Sequence, residues 1–264
     1  MGVGGAQPNI SQGLIKELRI PLPPLAEQRR IAAILNQADA LRAKRRESLA
    51  QLDNLKQSIF LDMFGADSDV RSASLGDVAL LKRGPFGGAL KKEIFVTEGP
   101  MIFEQRNAIQ DDCLSGRYFI TEQKYREMED FAVNPNDLIV SCSGSLGKVA
   151  IVPKDAPRGI INQALLRVRV KETLVTPIYL KHALESERVQ SRLFGLSHGT
   201  GLQNFPPMIE IKALSIPTPP IEKQVEFQSR LQTVNIQIQR SLASDSEFHN
   251  FFASLQHRAF RGEL

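Results

Sequence analysis

The sequence predicts an α+β fold, in which one globular, mixed but strand-rich domain is combined with two long helices that form an antiparallel coiled coil. Residues 20–65 and 216–264 both open on closely spaced prolines and continue as long amphipathic segments, which is the pattern of long helices. The residues between them form short β-branched and aromatic runs separated by glycine, proline, asparagine and aspartate, which is typical of strands and turns.

The two long segments are copies of one another. Pro21 falls on Pro217, a shift of 196 residues (217 minus 21), and the same shift aligns the rest of the two segments without a gap. Further identical pairs near their start are Pro23 with Pro219, Pro24 with Pro220, and Gln28 with Gln224. A repeat of this length indicates two equivalent structural elements.

The repeat also sets the predicted domain boundaries. Residues 1–19 match the end of the strand-rich domain at 200–216, so we expect the chain to start partway through a globular domain. The predicted parts are the tail of a first domain with a proline-rich segment at 1–24, a first helix at 25–64, the strand-rich domain at 66–215, and a second proline-rich segment with its helix at 216–264.

The long helices are predicted to begin after their prolines, which cannot donate backbone hydrogen bonds and hold the chain extended. From Ile31 onward, apolar residues recur at steps of three and four for about four heptads, interrupted by Arg45. The second helix, predicted over residues 221–260, has a similar stripe interrupted by Asp245. A compact domain usually brings its two ends together, so the two helices are expected to run antiparallel along each other.

Composition indicates an ordinary globular protein. Hydrophobic residues make up 42% and charged residues 23% of the 264 residues, and the net charge is +4 with a pI of about 9.1, which permits nucleic-acid binding without requiring it. The sequence has neither a signal peptide nor an apolar run of membrane-spanning length, so we expect a cytoplasmic protein without a membrane partner. Two distant cysteines argue against a disulfide framework or a zinc site.

Motifs for catalysis are not visible in the sequence. Only two residues separate Gly144 from Gly147, and Val149 follows Lys148, so this segment does not match a phosphate-binding P-loop. The Asn134-Pro135 pair lacks the aromatic residue of an amino-methyltransferase motif, and the four histidines have no metal-ligand spacing. We therefore predict a protein that is not an enzyme and has no cofactor and no metal site.

Several motifs together resemble one known family. The proline-rich segments IPLPPLAEQ and IPTPPIEKQ flank a domain that contains PNDLIVSCSGSLGKVAIVP and INQALLRV, and this arrangement is similar to the specificity subunit of type I restriction-modification systems. In that family, two target-recognition domains alternate with two helices, which pair antiparallel and dock methyltransferase subunits. Each recognition domain reads half of a split DNA site. With one such domain, this chain resembles a half-length form.

The resemblance implies DNA contacts in the loops of the strand-rich domain, where basic side chains suit phosphates and amide or hydroxyl side chains suit base edges. The candidates for phosphate contacts are Lys82, Arg83, Lys91, Lys92, Lys148 and Arg192. The candidates for contacts with bases or groove edges are Gln105, Arg106, Asn107, Ser143, Ser145, Asn162, Gln163, His198, Thr200 and Gln203.

The implied function is sequence-specific DNA recognition without catalysis. The implied partners are double-stranded DNA, methyltransferase subunits, optionally a restriction subunit, and either a second copy of the chain or a complementary N-terminal half-subunit. The pair of helices would set the spacing between half-sites. The alternative is a truncated or silent half-cassette that acts only as a dimerising interaction protein; a stand-alone nuclease or methyltransferase is disfavoured by the missing motifs.

Overall fold

The structure is a computed structural model that describes residues 12–17, 22–65, 71–86, 88–194, 205–261 and 263. Its helices are α1 (Gln12–Glu17), α2 (Leu25–Phe64), α3 (Leu75–Val78), α4 (Gln105–Gln110), α5 (Glu122–Glu127), α6 (Pro177–Glu185), α7 (Glu187–Phe194), α8 (Met208–Ala213) and α9 (Ile221–Arg261). Its strands are β1 (Ser72–Ser74), β2 (Ala79–Arg83), β3 (Val96–Phe103), β4 (Leu138–Ser141), β5 (Val149–Ile151), β6 (Gly159–Ile161), β7 (Leu165–Val170) and β8 (Ser215–Pro217). Helices and strands are therefore mixed, as predicted.

The chain divides into two compact units. One unit consists of Met1–Leu55 and Thr233–Leu264, and the other of Lys56–Gln232. We call the first the helical unit and the second the strand-rich unit. Within the described ranges, no helix combines the length and the apolar character that a membrane span requires.

The strand-rich unit is built on a four-stranded antiparallel sheet of order β2-β7-β4-β5. The central strand β4 is buried along its whole length, and β7 pairs with it on one side and with β2 on the other. The other four strands form two two-stranded sheets: β1 pairs antiparallel with β8, and β3 pairs parallel with β6. Buried strands with both neighbours in place explain the apolar runs in the sequence.

Two short helices lie where the sequence predicts none, so this part of the prediction is wrong: α5 falls in a predicted strand-like run, and α4 begins on residues 105–107, which were predicted to form a loop. The run at 117–133 contains α5 because the Thr121 hydroxyl caps it, accepting a hydrogen bond from the Lys124 amide at 3.1 Å. Helix α4 starts with a capping box formed by Glu104 and Asn107. These helices are too short for an apolar period to reveal them, so only their caps mark them.

An aromatic cluster closes the core of the strand-rich unit. Phe60 and Phe64, near the end of α2, pack with Tyr179 of α6 and Phe227 of α9. The Phe64 ring centre lies 5.0 Å from that of Tyr179 and 5.4 Å from that of Phe227. The Tyr179 hydroxyl also donates to the Pro217 carbonyl at 2.9 Å. This part of each long helix is thus bound into the core.

The sequence repeat is also a structural repeat. Helices α1 and α8 begin at Gln12 and Met208, and α2 and α9 begin at Leu25 and Ile221, so each pair keeps the shift of 196 residues (208 minus 12, 221 minus 25). Both copies contain the same local contact, which a glutamine makes: Gln28 Nε2 donates to the Pro23 carbonyl at 2.8 Å, and Gln224 Nε2 donates to the Pro219 carbonyl at 2.8 Å.

The two copies differ in what surrounds the glutamine. Gln224 is fully buried; its Oε1 accepts a hydrogen bond from the Thr176 amide at 2.8 Å, and its Nε2 also lies 3.1 Å from the Leu174 carbonyl. Gln28 is only partly buried. The second copy is therefore tied to the strand-rich unit by a side chain whose polar groups are all satisfied.

Within the helical unit, α2 and α9 contact each other through arginine and phenylalanine side chains. The Arg42 guanidinium carbon lies 4.7 Å from the centre of the Phe252 ring, and that of Arg45 lies 5.1 Å from the centre of the Phe248 ring. Arg45 interrupts the apolar stripe in the sequence, and its place over an aromatic ring explains how the stripe accommodates it.

Candidate nucleic-acid interface

A groove of about 630 Å³ lies at one edge of the strand-rich unit, and most of its lining is polar or charged. Its lining residues come from the end of β2, from α4 and the residue before it, from the loop after β4, from the turn between β6 and β7, and from the segment after α4. We call it the arginine groove, and it is lined by Arg83, Glu104, Gln105, Arg106, Ile109, Gln110, Arg117, Cys142, Ser143, Asn162, Gln163 and Ala164.

The sheet register explains why distant segments meet there. Arg83 at the end of β2 is the partner of Leu166, and Ser141 at the end of β4 is the partner of Leu165. The last residues of both strands therefore lie beside the start of β7. The parallel pairing of Phe103 with Ile161 brings the end of β3, and the helix α4 that follows it, to the same edge.

Gly84 allows the loop after β2 to approach the turn between β6 and β7. A Cβ atom added to Gly84 would lie 1.8 Å from the Asn162 carbonyl oxygen, a distance that no side chain tolerates. The Gly84 amide donates instead to the Leu165 carbonyl at 2.9 Å. Close contact between these two loops fixes Arg83 beside the amide side chains of the turn.

The lining formed by the described residues contains three arginines and one carboxylate, so its net charge is positive. The Glu104 carboxylate accepts a hydrogen bond from Arg117 Nε at 3.3 Å and lies 3.8 Å from Arg106 Nε. Arg106 also donates to the Ser115 carbonyl at 2.8 Å, and the guanidinium carbon of Arg83 lies 4.7 Å from the centre of the Phe205 ring. The guanidinium groups are thus held in place while the excess positive charge remains.

The amide side chains of the groove present hydrogen-bond donors. Oε1 of Gln105 accepts from the Ser143 hydroxyl at 2.5 Å, and Oδ1 of Asn162 accepts from the Ala164 amide at 3.0 Å. The amide nitrogens of both side chains are therefore the groups that can donate to a ligand. Together with the arginines, they suit a ligand rich in acceptors, such as phosphate oxygens or the acceptor edges of bases.

Ser143 lies in a loop that is fixed by internal hydrogen bonds. The Ser141 hydroxyl donates to the Ser145 carbonyl at 2.5 Å and accepts from the Lys148 amide at 3.0 Å. Gly144 and Gly147 both have positive φ angles, of 65° and 71°, which glycine adopts without steric cost. The loop therefore presents Ser143 to the groove in one defined conformation.

The sixteen residues predicted to contact DNA fall into four groups. The first group lines the arginine groove: Arg83, Gln105, Arg106, Ser143, Asn162 and Gln163. The second lies on exposed surface outside the lining: Lys91, Lys92, Ser145, Lys148 and Arg192. His198, Thr200 and Gln203 lie outside the described residues.

The remaining two residues have partners inside the protein. Lys82 pairs with Asp130 at 3.1 Å, and its ammonium nitrogen lies 4.7 Å from the centre of the Phe131 ring. Asn107 is 1% exposed; its Oδ1 accepts from the Glu104 amide, and its Nδ2 donates to the Asp112 and Ser115 carbonyls at 2.7 and 2.9 Å. Asn107 thus shapes the wall behind the groove and does not face into it.

Sequence reasoning missed Arg117 and Glu104, which complete the charge arrangement of the groove. Arg117 lies in a run that looks like a strand, and Glu104 directly precedes the predicted Gln105. The capping box that Glu104 forms with Asn107 gave no sequence signal, because it lacks the usual Ser or Thr followed three residues later by Glu or Gln.

Both cysteines of the chain are buried thiols, and one of them borders the groove. Burial raises the pKa of Cys142 to about 12, and burial with the nearby Asp111 carboxylate raises the pKa of Cys113 to about 12. Both therefore stay protonated at neutral pH. A thiol of this kind is a poor nucleophile, so Cys142 contributes packing to the groove.

Comparison with known proteins gives one family and several relatives. The family model described as "Type I restriction modification DNA specificity domain" matches residues 2–52 and 67–242. The EcoBI type I restriction enzyme specificity subunit of Escherichia coli is 23% identical over 291 residues, which cover 97% of this chain and 60% of that protein. The putative MjaX specificity subunit of Methanocaldococcus jannaschii is 22% identical over 256 residues, covering 89% of this chain and 57% of that protein. The chain thus spans somewhat over half the length of these curated relatives.

Solved structures of low sequence identity share the fold. A chain from a study of complex assembly and conformational transition in the type I R-M system superposes with a TM-score of 0.69 at 22% identity, covering 99% of this chain and 66% of that one. The HsdS subunit from Thermoanaerobacter tengcongensis gives a TM-score of 0.55 at 21% identity, covering 99% and 65%. The S subunit from M. genitalium gives 0.57 at 15% identity, covering 98% and 67%.

Proposed function

Because the chain belongs to the type I restriction-modification DNA specificity family, we propose that its strand-rich unit reads a half-site of double-stranded DNA through the arginine groove. Specificity subunits of type I systems are non-catalytic, and partner subunits carry the reactions. One observation carries the proposal: six residues predicted to contact DNA, from four separate segments of the chain, line one positively charged groove.

The groove provides chemistry for both positioning and reading. A guanidinium group binds the O6 and N7 atoms of guanine with two hydrogen bonds, and it also pairs with phosphate oxygens. Arg106 is held between Glu104 and Ser115, so its orientation is fixed before DNA arrives. We assign Arg106, Gln105 and Gln163 to base edges because all three line the groove. Hydrogen bonds with Ser115 and Ser143 orient Arg106 and Gln105, and the side chain of Gln163 is exposed.

Exposed cations outside the lining are assigned to phosphates. Lys91, Lys92, Lys148 and Arg192 are exposed, and long flexible cations at the rim suit contacts that carry no sequence information. Lys82 is a weaker candidate because Asp130 already partners its ammonium group. Asn107 is left out because its buried amide is fully used by backbone groups.

We further propose that α2 and α9 pair as an antiparallel coiled coil that docks methyltransferase subunits and sets the spacing between half-sites. The contacts Arg42–Phe252 and Arg45–Phe248 support antiparallel pairing, because the later residue of α2 contacts the earlier residue of α9. A helix of 40 residues is about 60 Å long, which corresponds to roughly 18 base pairs.

A split site requires two readers, and the strand-rich unit provides one. The second would be a second copy of this chain or a complementary recognition domain, and a symmetric pair of copies predicts a palindromic split site. Light scattering of the purified chain, alone and mixed with methyltransferase subunits, measures which assembly forms.

The test of the proposed function is sequence-dependent methylation. The chain is purified together with the methyltransferase subunits of its host, and adenine methylation of random-sequence DNA is mapped at base resolution. We expect methylation confined to one bipartite sequence, and the same positions to lose methylation in a host that lacks this gene. Methylation without sequence preference, or a methylation map unchanged by loss of the gene, would contradict the proposal.

A further inference from the structure

We propose that Phe86 is an apolar wedge that inserts between base pairs of the DNA bound at the arginine groove. The inference rests on the proposed function and adds a contact that differs from hydrogen-bond reading. Phe86 is 95% exposed, the largest exposed fraction among the large hydrophobic side chains of the described residues. Leaving a whole phenyl ring in water forgoes the stabilisation that burial would give.

The loop that carries Phe86 is anchored on both sides. Pro85 before it and Leu90 after it are buried, and the Phe86 carbonyl accepts a hydrogen bond from the Ala89 amide at 2.9 Å. Gly84 fixes the loop against the Asn162 carbonyl, as described above. The backbone of Phe86 itself is therefore held by its buried neighbour Pro85 and by the hydrogen bond from the Ala89 amide.

The position of the loop identifies DNA as the ligand of Phe86. Arg83, three residues before Phe86, lines the arginine groove, and the exposed Lys91 and Lys92 follow the loop. A single exposed apolar side chain is common on protein surfaces. An anchored aromatic ring between basic side chains matches the wedges that proteins insert between base steps, where flanking cations bind the phosphates.

Insertion has a distinct thermodynamic signature. A wedge contacts base faces and neutralises no phosphate, so its removal weakens binding with little change in the slope of log K against log salt concentration. Loss of a phosphate-binding cation lowers that slope by about one. The two kinds of contact are therefore separable in one set of titrations.

The experiment uses the complete complex with methyltransferase subunits and its mapped recognition sequence. Phe86→Ala should weaken specific binding by about fivefold to a hundredfold, the range for loss of an aromatic contact with a base, with an unchanged salt slope. Phe86→Leu keeps an apolar side chain and should recover part of the affinity. Leu80→Ala is the matched control, since Leu80 is a 61% exposed apolar residue on the preceding strand.

A second readout reports the insertion itself. A 2-aminopurine placed in the half-site, away from the methylated adenine, becomes brighter when a wedge unstacks it. We expect this increase with the wild-type complex and its loss with Phe86→Ala, at equal saturation of the DNA. The melting temperature of each variant is measured in parallel, and it should stay at the wild-type value because Phe86 is almost fully exposed.

Each other outcome has a definite meaning. If the wild-type complex shows no sequence preference, the proposed function fails. If it selects its sequence but Phe86→Ala binds as tightly as wild type, or lowers the salt slope, the wedge is refuted and the proposed function stands. If Phe86→Ala weakens assembly with the methyltransferase and leaves DNA affinity unchanged, Phe86 is a protein contact and the wedge is likewise refuted.

Discussion

Arg106 is the more enclosed of two neighbouring arginines in the groove, since 25% of its side chain is exposed against 58% for Arg117. Both guanidinium groups share the Glu104 carboxylate, and the buried Nε of Arg106 has no hydrogen-bond partner among the described residues. An enclosed, oriented cation loses little conformational entropy when it binds, so Arg106 suits base recognition better than an exposed cation.

An oriented arginine in the groove and an exposed lysine outside it should therefore contribute differently to DNA binding. Arg106→Ala should cost about 1–3 kcal/mol of specific binding and relax the preference at one base position. Lys92→Ala removes an exposed cation, so it should weaken binding to all sequences alike and lower the salt slope by about one. Competition binding with a set of single-base variants of the target separates the two results. Equal effects of both substitutions on all sequences would contradict the assignment of Arg106.

His182 gives a prediction for stability against pH. Its ring packs between Phe60 and Phe227, with ring centres at 6.0 and 5.2 Å. Burial, aided by the charges of Lys181 and Lys56, lowers the pKa of His182 from 6.5 to about 4. The folded protein therefore binds fewer protons at this site than the unfolded chain does. Stability from His182 is complete above pH 6.5 and is lost as the pH falls toward 4.

Urea unfolding between pH 7 and pH 4 measures this loss, which should reach about 3 kcal/mol, as an order of magnitude. His182→Phe keeps an aromatic ring without a titratable group, and it should flatten this part of the profile. The partly buried Glu185, one turn away on α6, acts in the opposite direction because desolvation raises its pKa. Glu185→Gln is therefore the control that isolates the histidine. An unchanged profile in His182→Phe would refute the assignment.

Positions in the groove could be predicted where a polar residue lies at or just beyond the end of a strand. Arg83 is the last residue of β2, and Ser143 comes two residues after the buried strand β4 ends, so both lie next to apolar runs that are visible in the sequence. Asn107 was predicted to face DNA, yet it lies inside a short capped helix whose start has no apolar period. Arg117 was missed because its place in the groove depends on how the chain turns between α4 and β4.

At the scale of elements, the long repeated helices could be predicted from the sequence and the short helices could not. Helices α2 and α9 start at residues 25 and 221 because prolines precede both, and these proline clusters are visible in the sequence. The short helices α4 and α5 were missed because caps, and not periodicity, define them. Patterns repeated over many residues are therefore readable from one sequence, whereas single hydrogen bonds that start a short helix are not.

The two repeated glutamines should respond differently to the same substitution. Gln224→Ala leaves the Thr176 amide and two carbonyl groups without their buried partner, and we expect a loss of about 2–4 kcal/mol in unfolding free energy. Gln28→Ala removes one partly buried hydrogen bond and should cost about 0.5–1.5 kcal/mol. Chemical denaturation of both variants measures the difference. Equal losses would mean that the two copies are stabilised alike.

At the scale of the whole molecule, the proposed spacer makes a prediction about DNA. Insertion of seven residues into both helices, near Arg45 in α2 and Phe248 in α9, keeps the apolar period and lengthens the pair by about 10 Å. We expect the spacing between methylated half-sites to grow by about three base pairs. Insertion into α2 alone is the control, and it should lower the melting temperature because the contacts fall out of register. An unchanged spacing with a stable double insertion would contradict the spacer role.

The two buried thiols have a practical consequence for studying this chain. Cys113 and Cys142 are its only cysteines, and protonated thiols without solvent access react slowly with maleimides. Gly88 lies in the Phe86 loop, and a Cβ atom added there would have no other atom within 4 Å. Gly88→Cys would therefore accept a fluorophore selectively in the wild-type background. Its emission would then time the arrival of DNA at the loop in a stopped-flow instrument.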